Sequence, residues 1–222
     1  AVRASPGFSV TAVENRGGDF QTRGSLAGPQ TIGYEYMTTY PWFAEAQQAG
    51  EEAVEKLKAR PVTAGQYDLV LDPSHLWLTI HESIGHSTEL DRALGWEANY
   101  AGTSFLTTES IGKVRIGSAI VNFVADRMQP TALATVGYDD EGVPGGRWYL
   151  FKDGIFVHWQ TTRHLAPLVG REAWYRCLHG ASWDVVPFPR IPNVSLEPAA
   201  TPVTLADLVA GVERGILIHG DG

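Results

Sequence analysis

Two histidines bracket a glutamate in the segment His81-Glu82-Ser83-Ile84-Gly85-His86. Imidazole and carboxylate side chains at such spacing can hold a divalent metal with a general base beside it. In the familiar H-E-x-x-H arrangement the histidines stand four residues apart on one helical face, zinc sits between them and the glutamate activates its water. Here they stand five apart. At 3.6 residues per turn, five steps carry the second ring about 140° around the axis from the first, which keeps the two from sharing an ion on an ideal helix. A π-type turn, with about 4.4 residues per turn, brings them to within roughly 50° of each other. The spacing therefore predicts a local π widening between His81 and His86. Gly85 is the residue expected to permit it. A glycine inside a helix costs about 1 kcal/mol against alanine, so its presence points to a close backbone approach or a deliberate irregularity.

The flanking sequence supplies the elements that must position this motif. Tyr67-Asp68-Leu69-Val70-Leu71 reads as a short strand. Asp72-Pro73 then provides an N-cap and a first-turn proline, predicting a motif helix from Pro73 to Leu94 with Gly95 as its stop. Before it, strands around Phe8–Glu14 are expected to turn at Asn15–Gly18 and at Gly24–Gln30, followed by an amphipathic helix from Pro41 to about Arg60. After it the chain reads as mostly β: Val114–Ala125, Thr131–Val136, and a hairpin over Arg147–Trp159 turning on Asp153-Gly154. Five prolines predict an irregular connection over Gly170–Pro202. A last helix opens at Thr204 and closes at Gly215, and Ile216–His219 looks like a strand with nothing after it to pair with. The expectation is one α+β unit over 1–222 with mixed sheets, a motif-bearing helix after a short strand and a β-rich second half. Within it, 1–65 reads as the end of an N-terminal α+β region and 66–222 as the motif helix and β-rich region.

With 222 residues and 44% hydrophobic content, the chain can bury a proper core. A net charge of −8 without any run of Lys or Arg speaks against a nucleic-acid partner and against adsorption to anionic membranes. No stretch approaches the roughly 18 apolar residues of a membrane span. A single cysteine, Cys177, excludes an internal disulfide and fits a reducing compartment, so a cytoplasmic location is expected. The start at Ala1 without a methionine, and the unpaired strand at the other end, predict that the chain is part of a longer protein.

Four separated segments then identify more than a spacing: HESIGHSTELDRALG at His81–Gly95, YAGTSF at Tyr100–Phe105, GYDDEGVP at Gly137–Pro144 and PRIPNVSLEP at Pro189–Pro198. Together they resemble the TldD branch of the TldD/PmbA family, named for modulators of DNA gyrase, over about Tyr67 to Gly220. Members look like zinc-dependent peptidases that degrade unstructured peptides, with H-E-x-x-x-H as the site motif. The resemblance implies zinc as cofactor, His81 and His86 as its ligands, and Glu82 as the general base. It implies an unfolded or extended peptide as substrate, and a PmbA-type partner subunit or a homodimer as assembly. It also places a third ligand, a cysteine, in a β-rich portion beyond the last residue of this chain. Cys177 falls before the PRIPNVSLEP match and is expected to be an ordinary buried thiol. The alternative is a non-catalytic scaffold or partner subunit of a hetero-oligomer, since the family's other branch lacks the motif and pairs with the catalytic one.

The remaining candidates read as structural. His75, six residues before His81, is expected to be solvated near the helix start, and His158, His164, His179 and His219 show no ligand spacing. Asp139-Asp140-Glu141-Gly142 reads as a turn with glycine supplying positive φ, with a place at the site kept open by the resemblance. The seven tryptophans, Trp42, Trp77, Trp96, Trp148, Trp159, Trp174 and Trp183, follow no stripe and are expected as core or rim aromatics.

Overall fold

A computed structural model describes residues 2–170, 177–180 and 182–220. It forms two compact units, one running to Leu69 and including Arg214–Ile216, the other comprising Val70–Glu213 and the segment from Leu217.

The first unit is built on a hairpin. Strands β1 (Ser9–Val13) and β2 (Phe20–Gly24) pair antiparallel from Ser9↔Gly24 to Val13↔Phe20, with half-buried and exposed residues alternating along each. Helix α1 (Glu35–Thr39) buries Tyr36, and helix α2 (Trp42–Lys56) lays Ala49 and Ala53 against the hairpin, their small side chains allowing close approach. Arg23 Nε meets Glu52 Oε2 at 2.6 Å and fixes α2 on β2. The predicted turn and helix are both present, the helix ending four residues before Arg60.

Strand β3 (Asp68–Leu71) leads directly into α3 (Pro73–Ile80), capped by Asp72, whose carboxylate accepts from Ser74 N at 2.9 Å. A π turn (His81–Gly85) and a 3₁₀ turn (His86–Thr88) follow; Glu89 is extended at ψ 122°, and a short α4 (Leu90–Ala93) completes the segment. The continuous helix expected over Pro73–Leu94 is thus broken in three places. The break at Glu89 has a visible cause: Gln160 N donates to Thr88 O at 2.8 Å and Leu90 N donates to Gln160 O at 3.0 Å, so a strand-like partner replaces helical bonds there. Gly95 ends the segment at φ +79°.

The second unit's main sheet has four antiparallel strands in the order β6 (Ile155–Phe156), β5 (Arg147–Lys152), β4 (Phe123–Asp126), β9 (Asn193–Leu196). Asp153 (φ 52°) and Gly154 (φ 76°) make the left-handed two-residue turn that the hairpin sequence demands. Leu90, Leu106, Leu150, Phe151, Phe156 and Trp159 fill the core, with the Phe156 and Trp159 rings 4.6 Å apart, edge to face. Ile84 reaches into the same core from the π turn and anchors it.

Other expectations are corrected. Of Val114–Ala125 only the residues from Phe123 are strand, which runs on to Asp126, and Thr131–Val136 is irregular, with Thr131 itself at φ 63°. The proline-rich stretch carries β7 (Leu178–His179), β8 (Phe188–Pro189) and β9. Helix α5 (Leu205–Ala210) opens at Thr204 as expected, through a capping box with Asp207, but stops at Gly211, and β10 (Gly215–Ile218) finds a partner in β3.

Candidate metal centre

The π turn does what the five-residue spacing requires. His86 N–H donates to His81 O, the i→i+5 bond that widens the helix, and the two imidazole rings stand 4.5 Å apart at 81°. His81, Glu82 and His86 each present a ligand atom, all within 4.8 Å of one another. The His81 and Glu82 side chains are about half exposed, at 47% and 60%, while His86 is mostly buried.

A π turn leaves carbonyls poorly bonded, and neighbouring side chains take them up. Thr88 Oγ1 donates to Ile84 O at 2.7 Å, Ser87 Oγ donates to Ser83 O at 2.7 Å, and the buried Gln160 Nε2 donates to Gly85 O at 2.5 Å. Gly85 itself has φ −56° and ψ −66°, angles open to any residue. Its glycine is needed for space: a Cβ there would lie 2.7 Å from Ile191 Cδ1 and 3.2 Å from Ile191 Cγ2. Both features expected at Gly85, the irregularity and the close approach, are present, and it is the close approach that requires glycine.

Behind the motif stand residues that spacing alone did not flag. Glu89 is buried and its Oε2 lies 2.8 Å from His86 Nδ1, while Arg92 Nη2 lies 2.7 Å from the same nitrogen. Arg92 Nε is also 2.7 Å from Glu89 Oε2. Nδ1 can donate to the carboxylate or accept from the guanidinium, and the two choices select opposite tautomers. Donation to Glu89 leaves a lone pair on Nε2 for a metal. A carboxylate three residues after the second histidine, a spacing that makes the two neighbours on a helical turn, was the available signal.

Burial holds both imidazoles below the ordinary histidine range; His86 lowers His81 further, and Arg92 lowers His86. Burial pushes the Glu89 carboxyl up to about 7 against the pull of Arg92, and pushes Asp91 up to about 7 with the Glu89 charge adding to it. The Cys177 thiol is wholly buried in the core and raised to about 12 by that burial.

Two clefts meet at the motif. One, about 690 Å³, is lined by His81, His86, Arg92, Tyr100, His179 and Arg190. The other, about 620 Å³, has Glu82, Ser83, His86 and Ser87 on one wall and apolar side chains opposite. His179, without ligand spacing in the sequence, therefore faces the same cleft as His81. Asp140 Oδ2 lies 3.5 Å from His179 Nδ1 and accepts from Gly180 N at 2.6 Å. The Asp139–Gly142 segment is the expected turn, with Asp139 Oδ1 accepting from Glu141 N and Val143 N and Gly142 at φ +76°, and Asp140 ties it to this cleft. His75 is not solvated as expected: its Nδ1 lies 3.0 Å from Gly220 O. His158 Nδ1 is 3.0 Å from Tyr149 O, His219 pairs with Asp72, and the His164 ring neighbours Trp96. Trp148 and Trp159 are core, Trp77, Trp96 and Trp183 are exposed, and Trp174 lies outside the described residues.

Residues 64–220 match the family model described as the PmbA/TldA metallopeptidase C-terminal domain. The chain belongs to that family. It is 32% identical over 172 residues to a metalloprotease of Synechocystis, covering 77% of this chain and 35% of the relative. A protein of Saccharolobus solfataricus named as a zinc metalloprotease TldD homologue is 26% identical over 164 residues, covering 73% of this chain and 34% of its own. The chain thus spans about a third of the length of these relatives. Its fold matches the crystal structure of a proposed modulator of a DNA gyrase from Thermotoga maritima with a TM-score of 0.70 at 17% identity, over 97% of this chain and 45% of that one. Among the described residues no helix is long and apolar enough to cross a membrane.

Proposed function

We propose that this chain carries the zinc-binding and proton-transfer centre of a metallopeptidase that hydrolyses unstructured, extended peptides. The observation that supports it most is the π turn that gathers the donor atoms of His81, Glu82 and His86 within 4.8 Å despite a five-residue spacing. The donor set fits zinc, which takes imidazole nitrogen and carboxylate oxygen, and burial favours the neutral imidazoles that ligation needs. His81 and His86 are the ligands in this reading. Glu89, accepting from His86 Nδ1–H, fixes the ligating tautomer. Zinc, when bound, supplies Lewis acidity toward the attacking water and the scissile carbonyl.

Glu82 does the proton work. Its carboxylate takes a proton from the attacking water as the oxygen adds to the peptide carbonyl carbon, then delivers that proton to the departing amine nitrogen. Strand β9, an outer strand of the four-stranded sheet, offers backbone groups with which an extended peptide can pair. The cytoplasm is the compartment in which this reading places the protein.

The test is elemental zinc analysis of the full-length protein beside hydrolysis of a denatured peptide, with and without a chelator, in the parent and in Glu82→Gln. The expected result is bound zinc in both proteins and chelator-sensitive hydrolysis in the parent alone. Hydrolysis that survives Glu82→Gln sinks the mechanism. Zinc without turnover on any peptide in the parent points instead to the scaffold role.

A further inference from the structure

We propose that the apolar cleft beside Glu82 is a specificity subsite that receives one bulky apolar side chain, of the Phe, Leu or Met class, next to the scissile bond. This rests on the peptidase reading and names the substrate class it acts on.

The cleft of about 620 Å³ falls in the range of ligand-binding cavities and has room for an aromatic side chain with its flanking backbone. Its apolar lining includes Ile80, Phe105, Ile116, Val121, Phe123 and Leu196. Phe105 is 63% exposed and Leu196 39%, so apolar surface is left open to solvent at the rim and not only packed behind it. Covering such surface is favourable, the driving force an apolar substrate group would use. The near wall carries Glu82 and His86, so a side chain seated here belongs to a residue adjoining the bond under attack.

The wall is held in place by named bonds. Ser104 Oγ donates to Ser87 O at 2.6 Å and accepts from Leu106 N at 2.9 Å, pinning the Phe105 loop to the turn after His86. Phe123 and Leu196 sit opposite one another on β4 and β9. The neighbouring cleft shares His86 and Arg92 with this one and adds His81, Tyr100, His179 and Arg190 in place of the aliphatic and phenyl side chains.

The experiment uses three peptides, identical except for Phe, Ser or Asp at the residue beside the cleaved bond, assayed with the full-length protein and with Leu196→Lys and Phe105→Ala. The expected kcat/KM for the Phe peptide exceeds that for the Ser peptide by about 10- to 200-fold, the range that apolar pockets achieve. Leu196→Lys should bring that ratio below about 3-fold and raise the Asp peptide relative to Ser. Phe105→Ala should reduce the Phe/Ser ratio by severalfold. Each ratio is taken within one protein, so a partly unfolded variant reports the same ratio as a fully folded one. Equal rates on Phe and Ser peptides, or an unchanged ratio in Leu196→Lys, overturn the assignment. A separate measurement compares binding of the Phe and Ser peptides to Glu82→Gln without turnover. If no peptide is hydrolysed but the Phe peptide binds about tenfold tighter and loses that advantage in Leu196→Lys, the subsite stands while the peptidase reading fails. Equal binding there removes the subsite as well.

Discussion

The two clefts that meet at His86 share that ring and Arg92, yet differ in almost everything else. Glu82 opens onto the one walled by Phe105, Phe123 and Leu196, and His81 onto the one lined by Tyr100, His179 and Arg190. The π turn brings His86 back toward His81 and keeps a Glu82 oxygen within 4.8 Å of both, so the motif stands where the two clefts adjoin. Under the proposed mechanism, ligation by His81 and proton transfer by Glu82 would then have different surroundings.

The largest expected effect tests whether the carboxylate on the apolar side is a base at all. Glu82→Gln should lower kcat by about 10²- to 10⁴-fold with zinc content unchanged, as measured by elemental analysis beside peptide hydrolysis. The next acts on the residue the clefts share. In Glu89→Ala only Arg92 remains against His86 Nδ1, and since a guanidinium can only donate, it selects the tautomer with the proton on Nε2. Zinc affinity in a competition titration should fall by about 10- to 100-fold. Retained affinity would mean that the carboxylate does not choose the tautomer.

Much of this was legible in the sequence, for reasons that differ by residue. The π turn followed from one helical angle and the five-residue step, and the Asp153-Gly154 turn from the positive φ that a two-residue hairpin requires. What was not legible depends on partners distant in the chain. Gln160, seventy-five residues from Gly85, both bonds the π turn and interrupts the helix at Glu89, so local periodicity gave no warning of the break. His179 reaches the site cleft on a two-residue strand that pairs with another of two residues, too short for a periodic signal. β10 likewise had a partner, β3, that lies far back in the sequence.

Gly85 allows the comparison to be broken from one side. Ile191 lines the donor-rich cleft and packs over Gly85, whereas the apolar groove does not include it. Gly85→Ala should therefore push on one cleft and spare the other. Alanine's helix preference offsets part of the strain, leaving a net loss of about 1 kcal/mol in urea unfolding. Adding Ile191→Val removes Cδ1, the atom at 2.7 Å, and should recover most of that loss beyond what the valine itself costs. Additive losses in the double-mutant cycle would show that space over Gly85 is not the constraint.

The smallest effect concerns the ground on which both clefts rest. Asp91, buried behind Glu89 and Arg92, has a folded-state pKa of about 7, raised first by burial and then by the Glu89 charge. The unfolded carboxyl releases its proton near pH 4, so between about pH 4 and pH 7 the folded state binds the extra proton and stability falls as pH rises. Below that window the carboxyl is neutral in both states and costs nothing; above it the full penalty of a buried charge is present. Asp91→Asn keeps an oxygen to accept from Arg92 N and cannot ionise. Its stability relative to the parent should be near zero at pH 4 and rise to about 1 to 2 kcal/mol at pH 8, read from urea midpoints at each pH. The discount from the full shift reflects Glu89, which shares the same protons and whose own ionisation changes when Asp91 is neutral. A difference that does not grow with pH would place the charge on Glu89 alone, and would make the carboxylate behind His86, and not its neighbour, the source of the acid-favoured fold.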